Sequence, residues 1–215
     1  MKKKKIKFLV FLFLVSILFL VFYFLNYFSI LPKRSYTNFD FGIETYHSLV
    51  DFDQDGLDDQ MDILLSAKEY IKTKPKYKSK YYETGYPNDN YGVCTDVVAF
   101  ALLGAGYDLQ ELVDLDIREN RDLYNISVVD KNIDFRRVKN LKIYFSHHAI
   151  SLTKDTKDIA SFQGGDIVIF KNHIGILSDK RNKQGLPYLI HNAGQPILEE
   201  DVLERYEIVG HFRIS

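Results

Sequence analysis

The sequence contains one cysteine, Cys94, and no tryptophan among its 215 residues. A lone cysteine excludes an intramolecular disulfide and any zinc or iron–sulfur site built from several thiolates. An excess of positive charge is also lacking, because 28 lysines and arginines are set against 29 aspartates and glutamates. Residues 1–34 hold seven of the 28 basic residues and no acidic one, which leaves 21 against 29 elsewhere. Nucleic acid, whose binding depends on neutralising phosphates, is therefore not an expected partner.

A long apolar run lies near the N-terminus. Eighteen residues, Phe8 to Leu25, are interrupted only by Ser16, which is enough for a membrane-spanning helix. Five lysines precede the run and keep the N-terminus cytoplasmic. The alternative is a cleaved signal peptide, whose apolar core is usually about 7–15 residues and precedes an A-x-A-like site. We expect residues 1–30 to be a lysine cluster and single-pass membrane anchor, with the C-terminal domain extracytoplasmic.

The rest of the chain is expected to form a linker, residues 31–50, and one domain, residues 51–215. Helical periodicity comes first, and short β-branched runs separated by turn residues follow. The predicted helices cover 62–71 and 95–103, a loop covers 72–92, and residues 107–160 are mostly helical or irregular. The predicted strands cover 166–170, 174–178, 188–191 and a last segment from 211. Helices followed by an antiparallel meander indicate an α+β domain.

Residues 51–62 have the spacing of an EF-hand calcium loop. Acidic residues occupy positions 1, 3, 5, 9 and 12, and Gly56 stands at position 6, where the turn requires glycine. The candidate ligands are Asp51, Asp53, Asp55, Asp59 and Asp62. An entering helix is not evident, and the alternative is an acidic helix N-terminus favoured by the helix dipole. The pattern predicts a structural Ca²⁺ that ties the linker to the domain. No cofactor is expected for catalysis.

Cys94 opens a predicted helix and is the candidate nucleophile. The dipole and free N–H groups of a helix start stabilise a thiolate and can hold the oxyanion formed on attack at a carbonyl. Such a thiol also needs an imidazole base and a third group that fixes the imidazole's tautomer. His173 begins one predicted strand and His191 ends the next, so antiparallel pairing can place them side by side. The alternative for a single cysteine on an apolar helix is an inert core residue.

Several longer segments accompany these residues. They are Tyr82-Glu-Thr-Gly85, Gly92-Val-Cys-Thr-Asp-Val-Val, Asp108-Leu-Gln, Asn132-Ile-Asp-Phe-Arg-Arg-Val, Gly165-Asp-Ile-Val, His173-Ile-Gly-Ile and His191-Asn192. The set resembles the NlpC/P60 cysteine peptidases and, more closely, the DUF1287 family, over roughly residues 50–213. The resemblance implies a papain-like fold in which the helix bearing Cys94 packs on an antiparallel sheet. It also implies His173 as base and His191 as orienting group.

One departure from the peptidases concerns the residues after the cysteine, which are Thr95 and Asp96 where Ser-Gly is usual. A carboxylate there opposes a low thiol pKa unless it points away or is neutralised. The candidates for substrate binding are Tyr82, Asp96, Arg136, Arg137 and Asn192. The arginines either clamp a substrate carboxylate or pair with Asp134 or another acidic group to fix a loop. Asn192 is also an alternative to His191 as the orienting group.

The expected function is a membrane-anchored cysteine hydrolase that cleaves an amide in peptidoglycan or another envelope peptide. One alternative is an acyltransferase that uses the same thioester, and another is a non-catalytic envelope-binding or adaptor domain. A third is a metallohydrolase built from His148, His173, His191 and Asp166. His147 and His148 otherwise have no partner at ligand spacing and are expected to be surface or core residues. His47 and His211 are assigned no role.

Overall fold

The computed structural model of the chain describes residues 2–28, 30–31 and 34–214. These divide into two compact units, one of residues 1–33 with 195–197 and one of residues 34–194 with 198–215. The first unit contains helix α1, Lys2–Tyr27. Its stretch Lys3–Tyr27 is long and apolar enough to cross a membrane, a property that a signal sequence near an N-terminus shares. A helix suits such a stretch because it satisfies its own backbone hydrogen bonds in hydrocarbon.

The second unit is an α+β domain in which most of the helices precede the sheet. The helices are α2 (Asp59–Lys72), α3 (Cys94–Gly104), α4 (Leu109–Glu119), α5 (Arg121–Tyr124), α6 (Lys131–Asp134) and α7 (Val138–His148). The strands are β1 (Lys76–Tyr77), β2 (Tyr91–Gly92), β3 (Ile150–Ser151), β4 (Ile167–Phe170), β5 (His173–Arg181), β6 (Pro187–Ile190), β7 (Glu199–Glu200) and β8 (Ile208–Arg213). Short 3₁₀ helices cover Asn38–Phe41, Ile159–Ser161 and Leu203–Arg205.

Six strands form one antiparallel sheet in the order β3-β8-β4-β5-β6-β7. A tight hairpin pairs Phe170 with His173, and the next pairing places Ile176 opposite Ile190. The three predicted central strands are thus confirmed in type and order. β5 is longer than predicted, and β8 begins three residues earlier. The short strands β1 and β2 pair in parallel, apart from this sheet.

Both faces of the sheet are covered, which explains the continuous apolar sequence of β4. Ile167 and Ile169 belong to the core cluster that includes the buried faces of α2 and α3. Val168 and Phe170 alternate with them and belong to a second cluster on the other face. Because side chains alternate along a strand, only a strand buried on both faces reads as an unbroken apolar run.

Helix α3 runs antiparallel to α2, and glycines allow the close contact. A Cβ at Gly92, before the start of α3, would lie 2.3 Å from the hydroxyl of Tyr70, near the end of α2. A Cβ at Gly104, at the end of α3, would lie 2.1 Å from Ser66 Oγ. Tyr70 also stacks on Phe100, with ring centroids 4.7 Å apart. The packing sets Cys94 and the segment before α2 at opposite ends of the helix pair.

The predicted linker differs from the structure, because residues 34–50 belong to the compact domain. Tyr36 and Arg181 exchange backbone hydrogen bonds of 2.9 and 2.7 Å. The Arg181 side chain donates to Asn38 Oδ1 at 2.5 Å and to the carbonyl of Phe162 at 2.5 Å. A guanidinium that is almost fully buried needs such acceptors, and the segment supplies one of them.

Candidate functional site

Cys94 is the first residue of α3 and is buried, with 7% of its surface exposed. Burial raises the pKa of the Cys94 thiol to about 11, and the charge of Asp96 adds to the rise. The backbone N–H groups of Ile174, Thr95 and Cys94 itself act in the opposite direction. The expected thiolate is therefore not the resting form at neutral pH, since desolvation outweighs the helix N-terminus. The contact with the Ile174 N–H places the Cys94 sulfur against the start of β5.

His173 and His191 lie side by side, as the strand pairing predicts. His173 Nε2 is 2.7 Å from His191 Nδ1, and the two rings meet edge to face. Burial, with a smaller contribution from the neighbouring His191, lowers the pKa of His173 to about 4. His173 is consequently neutral at pH 7 and able to accept a proton.

Glu200 extends this pair of histidines and was missed in the sequence. Its Oε1 lies 3.2 Å from His191 Nε2, with both side chains 5% exposed. A carboxylate so near Nε2 favours the His191 tautomer with its proton on that nitrogen, and Nδ1 of His191 then accepts from the Nε2–H of His173. The Nδ1 of His173 is then left with a free lone pair, as a base requires. The sequence signal was the pair Glu199-Glu200, which does not tell which glutamate points inward.

The thiol and the imidazole belong to packed elements, because α3 and β5 share one core cluster. Among the residues that the structure describes, no hydrogen bond joins the Cys94 sulfur to the His173 ring. Both groups are neutral at rest near pH 7, since the pKa of the thiol lies above that pH and the pKa of the imidazole lies below it. Such a pair acts by proton transfer during attack rather than as a preformed ion pair.

Asp96 and Arg136 form a buried ion pair. Arg136 Nε lies 2.6 Å from Asp96 Oδ1 and Nη2 lies 2.9 Å from Oδ2, with side chains 2% and 0% exposed. Asp96 also accepts from the Val93 N–H, and Arg136 donates to the carbonyl of Lys80 at 2.7 Å. The assignment of both residues to substrate binding is corrected to the ion-pair alternative. The partner of Arg136 is Asp96 rather than Asp134.

The other three residues proposed to bind substrate occupy different places. Tyr82 stacks on the Arg136 guanidinium, 5.0 Å from the ring centroid, and donates its hydroxyl to Asp89. Asn192 donates to the carbonyls of Pro75 at 3.0 Å and Gly92 at 3.2 Å. It therefore braces the chain before Cys94, and His191 is the residue hydrogen-bonded to His173. Arg137 has an exposed side chain, with Nε 3.6 Å from Asp134.

The four ligands of the metallohydrolase alternative do not form one cluster among the described residues, although His173 and His191 are in contact. Asp166 is fully buried and bonds Arg213 at 2.7 and 2.8 Å and His211 at 3.0 Å. His148 Nε2 lies 3.1 Å from Asp116 Oδ1, and His147 Nδ1 lies 3.6 Å from the other oxygen of that carboxylate. His211, given no role, is thus a buried structural partner. The surface histidines 147 and 148 do have a carboxylate partner.

The acidic loop is brought together in part. Asp51, Asp53 and Asp55 each place a carboxylate oxygen within 4.8 Å of the others. Asp59 differs from the expected ligand, because one oxygen accepts from the Phe52 N–H at 2.8 Å and the other from the Tyr107 hydroxyl. Asp62 is buried in the first turn of α2, and burial raises its pKa to about 6.

The fold and this geometry define an α+β domain in which a helix-initial cysteine contacts the start of the strand that begins with one histidine of a pair. The family model described as domain of unknown function DUF1287 matches residues 64–214, and the chain belongs to that family. The uncharacterized protein YijF of Escherichia coli (strain K12) is 38% identical over 161 residues, 68% of this chain and 78% of YijF. No solved structure gives a significant match. Cys94, His173, His191 and Glu200 all lie within the family match.

Proposed function

We propose that the protein is a membrane-anchored, extracytoplasmic cysteine hydrolase that cleaves an amide bond in peptidoglycan or another envelope peptide. The observation that carries the proposal is the series in which His173 is hydrogen-bonded to His191 and His191 lies 3.2 Å from Glu200, on a strand whose start contacts the helix-initial Cys94. This series holds His173 in the tautomer that can take a proton from a thiol. A buried structural cysteine has no need of an oriented base.

The reaction follows from the protonation states of the site. His173 Nδ1 accepts the thiol proton while the sulfur attacks the substrate carbonyl carbon. The N–H groups at the start of α3, which lie beside the sulfur, stabilise the oxyanion. The imidazolium then gives its proton to the leaving amine, and a thioester remains on Cys94. Water, deprotonated by His173, releases the carboxylate and restores the thiol.

The order of the site residues along the chain supports the family comparison made from the sequence. A cysteine at a helix start, a histidine at a strand start and a polar group on the next strand are the order that resembles the NlpC/P60 peptidases. Helix α1 supports the location, because its length and composition suit a membrane span and its lysines favour a cytoplasmic N-terminus. The domain then faces the envelope, where peptide substrates of this kind lie.

The burial of Cys94 and the rise in its thiol pKa favour one other candidate, a non-catalytic envelope-binding domain of the same fold. An acyltransferase uses the same thioester, and the acceptor alone distinguishes it from the hydrolase.

The test uses the full chain in detergent as wild type, Cys94→Ala and His173→Ala. Each is incubated in ¹⁸O-labelled water with peptidoglycan and with soluble stem-peptide fragments, and the products are analysed by mass spectrometry. We expect cleavage by the wild type alone, with ¹⁸O in the new carboxylate. Products without ¹⁸O that carry an added amine or alcohol would establish acyl transfer. Binding without any product from the wild type would replace the hydrolase by the binding domain.

A further inference from the structure

Three carboxylates meet just before α2, and a fourth, that of Asp62, lies in the first turn of that helix. The three are Asp51, Asp53 and Asp55, which have oxygens within 4.8 Å of one another. Gly56, with φ of 97°, turns the loop, and its N–H donates to Asp51 Oδ2 at 3.0 Å. Acidic loops of this shape also occur without a ligand, so the loop by itself does not define a site.

Asp62 provides the independent observation. The residue is only 6% exposed, and its Oδ2 has no hydrogen-bond partner among the residues that the structure describes. The loop is held against the first turn of α2, where Asp62 stands, because the Phe52 N–H donates to Asp59 Oδ1 at 2.8 Å and the Asp59 N–H donates to the Val50 carbonyl at 2.9 Å. A buried carboxylate that lacks a donor is costly, and each added negative charge increases that cost. A cation between Asp62 and the loop removes the cost.

We propose that Asp51, Asp53, Asp55 and Asp62 bind a Ca²⁺ ion. Calcium takes 6–8 oxygen ligands at about 2.3–2.6 Å, so oxygens on opposite sides of the ion are about 5 Å apart, as the loop allows. Mg²⁺ is smaller and requires a stricter octahedron. Asp59 is not in the set because one of its oxygens accepts from the Tyr107 hydroxyl, which lies outside the loop, whereas the oxygens of Asp51 accept from N–H groups of the loop itself. A water molecule commonly serves at that position of such loops.

The ion has a structural role, because the loop lies far from the cysteine. Phe52 of the loop stacks on Tyr107 with centroids 4.5 Å apart, just after the end of α3, whereas Cys94 is its first residue. Eleven helical residues separate these ends by about 16 Å. The ion therefore fastens the loop to α2 and to the turn after α3, and the reactivity of Cys94 does not depend on it. All four ligands precede residue 64, where the family match begins.

The experiment is calcium titration of the chelator-treated full chain in detergent, by calorimetry and by thermal unfolding. We expect one Ca²⁺ per chain, with a dissociation constant on the order of 0.1–1 mM, as in extracellular modules. Asp62→Asn and Asp53→Asn are each expected to weaken binding at least tenfold and to abolish the rise in Tm with calcium. Asp122→Asn, which removes an exposed carboxylate from α5, is the matched control. It should keep both the calcium affinity and the rise in Tm with calcium.

Three results would overturn the proposal: no heat and no Tm shift up to about 10 mM Ca²⁺, wild-type binding by either variant, or Mg²⁺ binding as tight as that of Ca²⁺. Should Asp62→Asn fail to fold, Asp53→Asn decides alone, since residue 53 is exposed. Its circular dichroism without calcium must match that of the wild type.

Discussion

Asp96 and Asp62 occupy corresponding places, each in the first turn of a helix and each buried, yet their partners differ completely. Asp96 at the start of α3 has Arg136 on both oxygens and the Val93 N–H besides. Asp62 at the start of α2 has an oxygen with no protein donor among the described residues, and the charges of Asp55, Asp53, Asp51 and Asp59 add to the rise in its pKa that burial causes. Burial of a carboxylate therefore says little until its counter-charge is identified. Arg136 supplies the counter-charge for Asp96, and we infer that a metal ion supplies it for Asp62.

The ion pair of Asp96 with Arg136 also explains how an aspartate can stand two residues from the candidate nucleophile Cys94. Its charge is matched by Arg136, whose guanidinium is covered by Tyr82. The pair links the first turn of α3 to the chain after α6 and to the carbonyl of Lys80. Asp96 thus stabilises the position of Cys94 and does not serve as a substrate ligand.

The largest effect is expected from Arg136→Met, which leaves Asp96 buried without its counter-charge. Breaking a buried pair by removing one partner costs about 3–5 kcal/mol of unfolding free energy. Urea unfolding of the full chain measures it. Arg137→Met is the matched control, because that neighbouring side chain is exposed and its loss should cost less than about 0.5 kcal/mol. Equal, small losses in the two variants would show that the pair does not anchor α3.

Asp62→Asn tests the carboxylate at the start of α2, and the sign of its effect on the free energy of unfolding should depend on calcium. Without divalent cations the substitution removes an uncompensated buried charge and should stabilise the chain by about 1–2 kcal/mol. With calcium it removes a ligand and should destabilise the chain relative to wild type. Asp96→Asn is the comparison, since it should destabilise in both conditions. Destabilisation by Asp62→Asn in the presence of chelator would mean that the protein itself compensates the charge of Asp62, as it does that of Asp96.

His173 extends the comparison to a buried group that is neutral. Its folded pKa of about 4 lies below the ordinary histidine pKa of 6.5, so between these values the unfolded chain binds a proton that the folded chain does not. Stability supplied by this group is full above about pH 6.5 and decreases as the pH falls toward 4, by about 1–2 kcal/mol between pH 7 and 5. Urea midpoints at those pH values should differ less in His173→Gln than in wild type. An unchanged difference would assign the acid sensitivity to other groups.

The sequence predicted what depends on local pattern. The helix start at Cys94, the strands that carry His173 and His191, and the α+β order all follow from periodicity and turn residues. What depends on packing was not accessible. Arg136 meets Asp96 across 40 residues and His211 meets Asp166 across 45, and no local spacing encodes either contact. The thiol pKa was misjudged for the same reason, because the helix dipole is a local feature and burial is not.

Glu200→Gln gives the smallest effect and tests how His173 is oriented. An amide in place of the carboxylate can donate to His191 Nε2, which moves the His191 proton to Nδ1 and forces His173 to carry its own proton on Nδ1. That tautomer cannot take the thiol proton, and we expect kcat to fall about tenfold, a fraction of what general-base catalysis contributes. Imidazole ¹⁵N NMR shifts of His173 should report the change without any substrate.

Glu199→Gln is the matched control, because Glu199 bonds Ser178 and Lys180 instead of the histidines. It should leave both the tautomer and the rate within about twofold of wild type. A shift in tautomer with an unchanged rate would show that the tautomer of His173 does not control catalysis. His173, His191 and Glu200 would then be a structural network, like Asp96 with Arg136, and the non-catalytic candidate would be favoured.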